Sequence, residues 1–138
     1  MFEMRRIIYC HELSIPENQE FDLQQEFTSR HLIAWLGDIP VGFGRFQIQN
    51  DSDGQQFITI DRLGIMPNFR LKGFAKNILE QILLNIQQSI PTIKVVTLRV
   101  LTTESWIIEK ITSKGWNVTG APLELRGNLN YALYAIQI

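Results

Sequence analysis

The feature that most constrains this chain is a single apolar stripe. Ala75, Ile78, Leu79, Ile82, Leu83, Ile86 and Ile90 recur at intervals of one, three and four residues, which lines them along one face of a helix. Pro91 ends that helix, because proline has no amide hydrogen to continue it. A stripe of this length must be buried, and the flanking segments supply the surface. Phe57 to Ile65 before it and Val95 to Leu101 after it are short, apolar and rich in β-branched residues, as buried strands are. The helix therefore lies across a sheet.

The rest of the chain extends that sheet. His31 to Leu36 reads as a strand that turns at Gly37-Asp38 into Val41 to Ile48, and Asn50 to Gly54 is the next turn. Upstream, Met4, Ile7, Ile8 and His11 have helical spacing over 4–11, closed by Pro16. The polar stretch 17–30, with Phe21, Leu23 and Phe27, suggests a loop and a short second helix. Downstream, a helix over roughly 104–113 stops at Lys114-Gly115, and strands near 116–120 and 130–137 complete the chain. Meander, helix, strand, helix and strand pair make a mixed α/β (α+β) order rather than strict βαβ alternation. At 138 residues the chain is expected to be one domain, residues 1–138.

Bulk properties exclude several classes. A formal net charge of -1 gives no pull toward nucleic acid or an acidic membrane. One cysteine, Cys10, makes no internal disulfide and suits a reducing compartment. No apolar run approaches the roughly 18 residues of a membrane span, and the charged start Glu3 to Arg6 is unlike a signal peptide. A cytoplasmic protein is expected. With two histidines and one cysteine, no metal-ligand spacing is present.

Chemistry points to the turn before the long helix, Arg70-Leu71-Lys72-Gly73-Phe74-Ala75. Unpaired amides and the positive dipole end suit a helix N-terminus to an anion. Gly73 allows close approach to the backbone, Ala75 keeps the first turn small, and Arg70 and Lys72 add charge. The competing assignment is a plain strand–turn–helix with solvated basic residues. Neither a P-loop nor a three-glycine dinucleotide fingerprint is present.

The stretch Leu63-Gly64-Ile65-Met66-Pro67-Asn68-Phe69-Arg70-Leu71-Lys72-Gly73-Phe74-Ala75 resembles the acetyl-CoA motif of the GNAT acyltransferases. That motif is Leu-x-Val-x-Pro followed by Arg/Gln-x-x-Gly-x-Gly/Ala. The N-terminal half resembles the YjcF/ElaA-like branch, through Arg5 to Pro16, Glu20-Phe21-Asp22, His31 to Ala34 and Pro40 to Arg45. The resemblance implies a GNAT fold, a mixed and mostly antiparallel splayed sheet flanked by helices. Strands 57–65 and 95–101 would part at their C-terminal ends, with pantetheine inserted beside Leu63, Gly64 and Ile65. The pyrophosphate would lie on Arg70, Leu71, Lys72, Gly73, Phe74 and Ala75. The Ile65 amide is then a candidate oxyanion donor.

The chain departs from the family at three points. It begins almost at the first helix, where the family has a preceding strand, so either that edge strand is missing or the true start lies upstream. Leu71 stands where glycine is frequent. Ile111 replaces the tyrosine that protonates the departing thiolate in many members. A thiolate tolerates that loss, since thiol pKa values lie near 8.5. Tyr131 and Tyr134 are the substitutes on the last strand, against their reading as sheet aromatics.

Asp61 is the first candidate for general base. Strand alternation puts it on the face of Leu63 and Ile65, and the competing assignment is an ion pair with Arg45, Arg62 or Arg99. The resemblance implies that Glu12 and His31 line the acceptor site. The expected activity is transfer of an acetyl group from acetyl-CoA (coenzyme A) to a primary amine by direct attack. The acceptor is a small molecule or a protein amine; no metal, nucleic acid or membrane takes part, and a homodimer follows from an uncovered sheet edge. The alternatives are a catalytically weak acyl-CoA-binding regulatory or assembly module, and a structural domain that binds no CoA.

Overall fold

In the computed structural model, residues 2–138 are described except 14, 16, 22–25, 27 and 127. The expectations for Pro16, Asp22, Leu23 and Phe27 fall outside the described residues. The first helix, α1, runs over Phe2–Arg5 and continues in π-helical form through Arg6–Glu12. A single turn, α2 (Glu17–Glu20), follows. The meander is β1 (Arg30–Leu36), β2 (Ile39–Asn50) and β3 (Gln56–Ile65). Next come the long helix α3 (Phe74–Ser89), β4 (Val95–Leu101) and α4 (Ser105–Ser113). The chain ends in β5 (Asn117–Val118), β6 (Glu124–Arg126) and β7 (Leu129–Gln137). β6 has no counterpart in the sequence reading, because three residues are too few to show a period.

The strands form one sheet in the order β1-β2-β3-β4-β7-β5, with β6 also on β7. All pairings are antiparallel except β3 with β4. Its two faces are packed differently. On one, Ile78, Ile82 and Ile86 of α3 meet Phe46, Ile58, Ile60 and Leu98 in the larger apolar core. Gly42 and Gly44 make this packing possible, since a Cβ at either would lie 2.6 Å from Ile65 Cδ1 or Ile82 Cδ1. On the other face α1 lays Met4, Ile8 and Tyr9 against Phe43, beside a buried cluster of charges. Ile111, at the family's tyrosine position, is buried in the first core, as is Tyr134. No described helix is long and apolar enough to cross a membrane.

Candidate active site

The parallel pair β3–β4 is short. Ile58, Thr59 and Ile60 pair with Val96, Thr97 and Leu98, yet β3 continues to Ile65 and β4 to Leu101. Beyond Ile60 the two strands part, and a cleft of about 440 Å³ opens between them. It runs from Tyr131 and Asp61 past Leu63 and Ile65 to Arg70, Gly73 and Ala75.

The edge of β3 in this cleft carries unused backbone. Met66 N donates to Val41 O at 2.8 Å, and antiparallel hydrogen bonding alternates along a strand. Leu63 and Ile65 therefore turn their N–H and C=O groups away from β2, toward the gap. Side chains fill part of that edge. The Tyr9 hydroxyl accepts from Leu63 N at 3.3 Å and lies 3.4 Å from Leu63 O. Arg70 Nε donates to Ile65 O at 3.0 Å.

At the far end, Gly73 caps α3 with φ 82, the left-handed conformation that glycine adopts without strain. No side chain caps this helix start. Leu71 also has positive φ, 62°, and is 84% exposed, a strained conformation for a residue with a Cβ. Lys72 is not part of the cleft lining; its ammonium lies 5.8 Å from the Phe69 ring. Arg70 lines the cleft but turns to Glu12, donating from both terminal nitrogens at 2.8 and 3.1 Å. Glu12 thereby lines the cleft as well. His31 does not: on β1, its Nε2 is 3.6 Å from Glu26 Oε2, outside the lining.

Asp61 departs from the alternation expected of it. Arg45 pairs with Arg62 and Phe46 with Ile60, so Asp61 is the extra residue of a β-bulge. The bulge sends Asp61 and Arg62 to the α1 side, while Leu63 and Ile65 keep to the α3 side. All three arginines named from sequence reach Asp61: Arg45 in a forked pair, Arg62 at 3.7 Å and Arg99 at 3.4 Å. Gln47 adds a hydrogen bond at 3.1 Å. Burial pushes the Asp61 carboxyl up, but the Arg45 hydrogen bonds and the charges of Arg62, Arg45 and Arg99 outweigh it and hold it below the usual carboxylate range. The cluster continues through Glu26, which joins Arg45 to Arg5, and Glu20, which holds Arg5, Arg62 and Arg126.

Tyr131 and Glu104 face the cleft in another state. Tyr131 is the Cα partner of Leu101 at the end of β4. Its hydroxyl is buried and, among the described residues, has no hydrogen-bond partner. Burial pushes its pKa up, against Arg126 and Arg62, which lower it. Glu104, which the sequence reading absorbed into a helix, sits at the N-cap of α4 yet caps nothing with its side chain. It is half-buried in the cleft lining, and burial raises its pKa, with Arg70 lowering and Glu12 raising it. The signal for Glu104 was an acidic residue three positions after a buried strand.

A cleft between parting strands, closed at one end by a glycine-capped helix start, meets a matching family model. Residues 1–98 match the acetyltransferase (GNAT) family. The chain belongs to that family. Among solved structures it is similar to a candidate N-acetyltransferase from Lactobacillus plantarum, at 17% identity and TM-score 0.78, covering 99% of this chain and 87% of that one. The Arabidopsis thaliana Naa50 in complex with a bisubstrate analogue gives 15% identity and TM-score 0.67, with 86% and 82% covered. A Bacillus subtilis acetyltransferase in complex with CoA gives 8% and 0.66, with 83% and 80% covered. At these identities the likeness bears on the GNAT fold alone. No curated protein matches.

Proposed function

We propose that this GNAT protein transfers an acetyl group from acetyl-CoA to a primary amine, in the cleft between β3 and β4. The carrying observation is the parting of the strands beyond Ile60 and Leu98, which turns Leu63 and Ile65 toward a gap that ends at the α3 N-terminus. Pantetheine amides would add to that edge as a further strand does. The pyrophosphate would meet the first amides of α3 around Gly73, Phe74 and Ala75, which have no intrahelical partner. The CoA and bisubstrate complexes of the two neighbours named above support the same ligand chemistry here. Entry of CoA has to displace the Arg70 guanidinium from Ile65 O, freeing Arg70 for phosphate.

In this reading the Ile65 amide stabilises the oxyanion, and Tyr131 protonates the thiolate. A tyrosine whose pKa is raised holds its proton until the leaving group needs it. Lys72, directed to Phe69, contributes charge rather than contact. The YjcF/ElaA-like branch and a cytoplasmic location belong to the same proposal. So does a homodimer through the β1 edge, where Trp35 and Leu36 are exposed; sedimentation showing only monomer at micromolar concentration would remove it.

One observation favours the binding-module alternative: Ile111 is core, so the family's usual acid position is closed to catalysis. The deciding experiment pairs calorimetry with a thiol-release assay. CoA should bind the parent, and Gly73→Glu, which puts a side chain and negative charge at the phosphate, should abolish binding. Equal affinities would sink the site. Tight CoA binding with no transfer to any primary amine would favour the module.

A further inference from the structure

We infer that Glu104 is the proton acceptor for the incoming amine, and that it forms with Glu12 an acidic pair which draws a cationic acceptor into the cleft. The inference rests on the acetyltransferase reading of the same site and adds a residue to it.

The argument begins with position. Glu104 lies three residues beyond Leu101, and Leu101 is the Cα partner of Tyr131. The carboxylate and the orphaned tyrosine hydroxyl thus belong to the same end of β4, at the wall of the cleft opposite Leu63 and Ile65. Glu104 is also the least of the charges that raise the Tyr131 pKa, after burial and Glu20. Its backbone is fully used: Glu104 N donates to Leu101 O at 3.0 Å, and Glu104 O accepts from Ile107 N and Ile108 N at 3.2 Å. The side chain is not. It makes no hydrogen bond to its own helix, and among the described residues it has no ion pair within 4 Å. Half-burying a carboxylate without a partner costs free energy, so the site holds it there against that cost.

The charged and titratable groups that line the cleft with it come from every surrounding element. Tyr9 and Glu12 come from α1, Asp61 from β3, Arg70 from the turn before α3, Lys76 from α3 itself, Arg99 from β4, Lys110 from α4 and Tyr131 from β7. Of these, Arg70 is tied to Glu12. When Arg70 turns to pyrophosphate, Glu12 and Glu104 are left facing one another across the cleft. Two carboxylates in that state favour a cation between them, and a primary amine arrives as one, since alkyl ammonium pKa values lie near 10.4.

The step balances as follows. The ammonium gives one proton to Glu104, directly or through water. The freed nitrogen lone pair attacks the thioester carbonyl carbon, and the oxyanion forms at the Ile65 amide. Collapse breaks the C–S bond with its electron pair leaving on sulfur. Tyr131 gives its proton to that thiolate and is reprotonated by the second proton lost from nitrogen. The products are the amide, CoA thiol and a proton on Glu104 that passes to solvent.

The test uses the full chain with acetyl-CoA and a panel of lysine, a diamine and a peptide N-terminus. Parental kcat/KM should rise with pH through a limb above the ordinary glutamate range. Glu104→Gln should lower kcat by about 10²–10⁴-fold and lose that limb, keeping only the one from the amine. Glu104→Asp should restore part of both, and CoA affinity by calorimetry should stay at the parental value, which also reports folding. Turnover and pH profile unchanged in Glu104→Gln would overturn the inference alone. A parent that binds CoA but transfers to no amine would overturn it together with the acetyltransferase reading.

Discussion

Asp61 on β3 and Glu104 beyond β4 line opposite walls of one cleft, and their surroundings could hardly differ more. Asp61 is buried among Arg45, Arg62 and Arg99 and is held below the usual carboxylate range. Glu104 faces Glu12 and one committed arginine and is pushed upward by burial. Two carboxyls whose environments drive their pKa values apart take different tasks. A proton acceptor needs a pKa near the working pH, which Asp61 gives up to its guanidinium partners. It can hold those arginines in place; Glu104 can accept a proton.

Asp61→Asn tests this comparison with the largest expected effect. It removes a carboxylate from a buried cluster of arginines and leaves Arg45 with Glu26 alone, a loss of about 3–5 kcal/mol of stability. Chemical denaturation of parent and variant measures it. If Asp61 were the base, the folded variant would instead lose about 10²–10⁴-fold in kcat. Turnover within tenfold of the parent, per folded molecule, is the outcome expected from its ion pairs. The same residue sets a pH dependence. Its folded pKa lies below the unfolded value, so its contribution is present above the ordinary carboxylate range. That contribution is lost as pH falls through the lowered folded value. Asp61→Asn should flatten that part of the acid-unfolding curve.

The two walls also divide what the sequence revealed from what it hid. The α3 stripe was legible because one period repeats over many residues, and its burial follows that period. The meander and the strand 95–101 were legible as short apolar runs between turns, and β2, β3 and β4 are buried almost continuously at their centres. The motif turn was legible because Gly73 and the absence of a capping side chain are local facts. The direction of Asp61 was not. A bulge adds one residue to one strand, and nothing in Ile60-Asp61-Arg62-Leu63 announces it. His31 was carried in by resemblance, and its strand sets it against Glu26 rather than the cleft. Glu104 was hidden differently: an acidic residue at a helix start is ordinarily a cap, and only the geometry shows this one capping nothing. Arg70 lies in the turn before α3, but no local rule could foresee that Glu12, 58 residues away, would hold its guanidinium.

That Arg70–Glu12 contact sharpens the comparison with the smallest expected effect. The pair is partly exposed, 35% for the Arg70 side chain and 36% for Glu12, so its own strength is modest, about 0.2–1 kcal/mol. It competes with pyrophosphate for one guanidinium. Arg70→Ala removes both uses and should weaken CoA binding by about 1–2 kcal/mol, as for a charged hydrogen bond. Glu12→Gln removes only the competitor, so CoA affinity should rise by up to about fivefold, the upper end of the same pair energy. Both effects should shrink in high salt, because the contact is open to solvent. Titration calorimetry at two ionic strengths separates the outcomes. If Glu12→Gln weakened CoA binding, Glu12 would be orienting Arg70 for phosphate rather than withholding it. The wall opposite Asp61 would then be as fixed in its pairing as Asp61 itself.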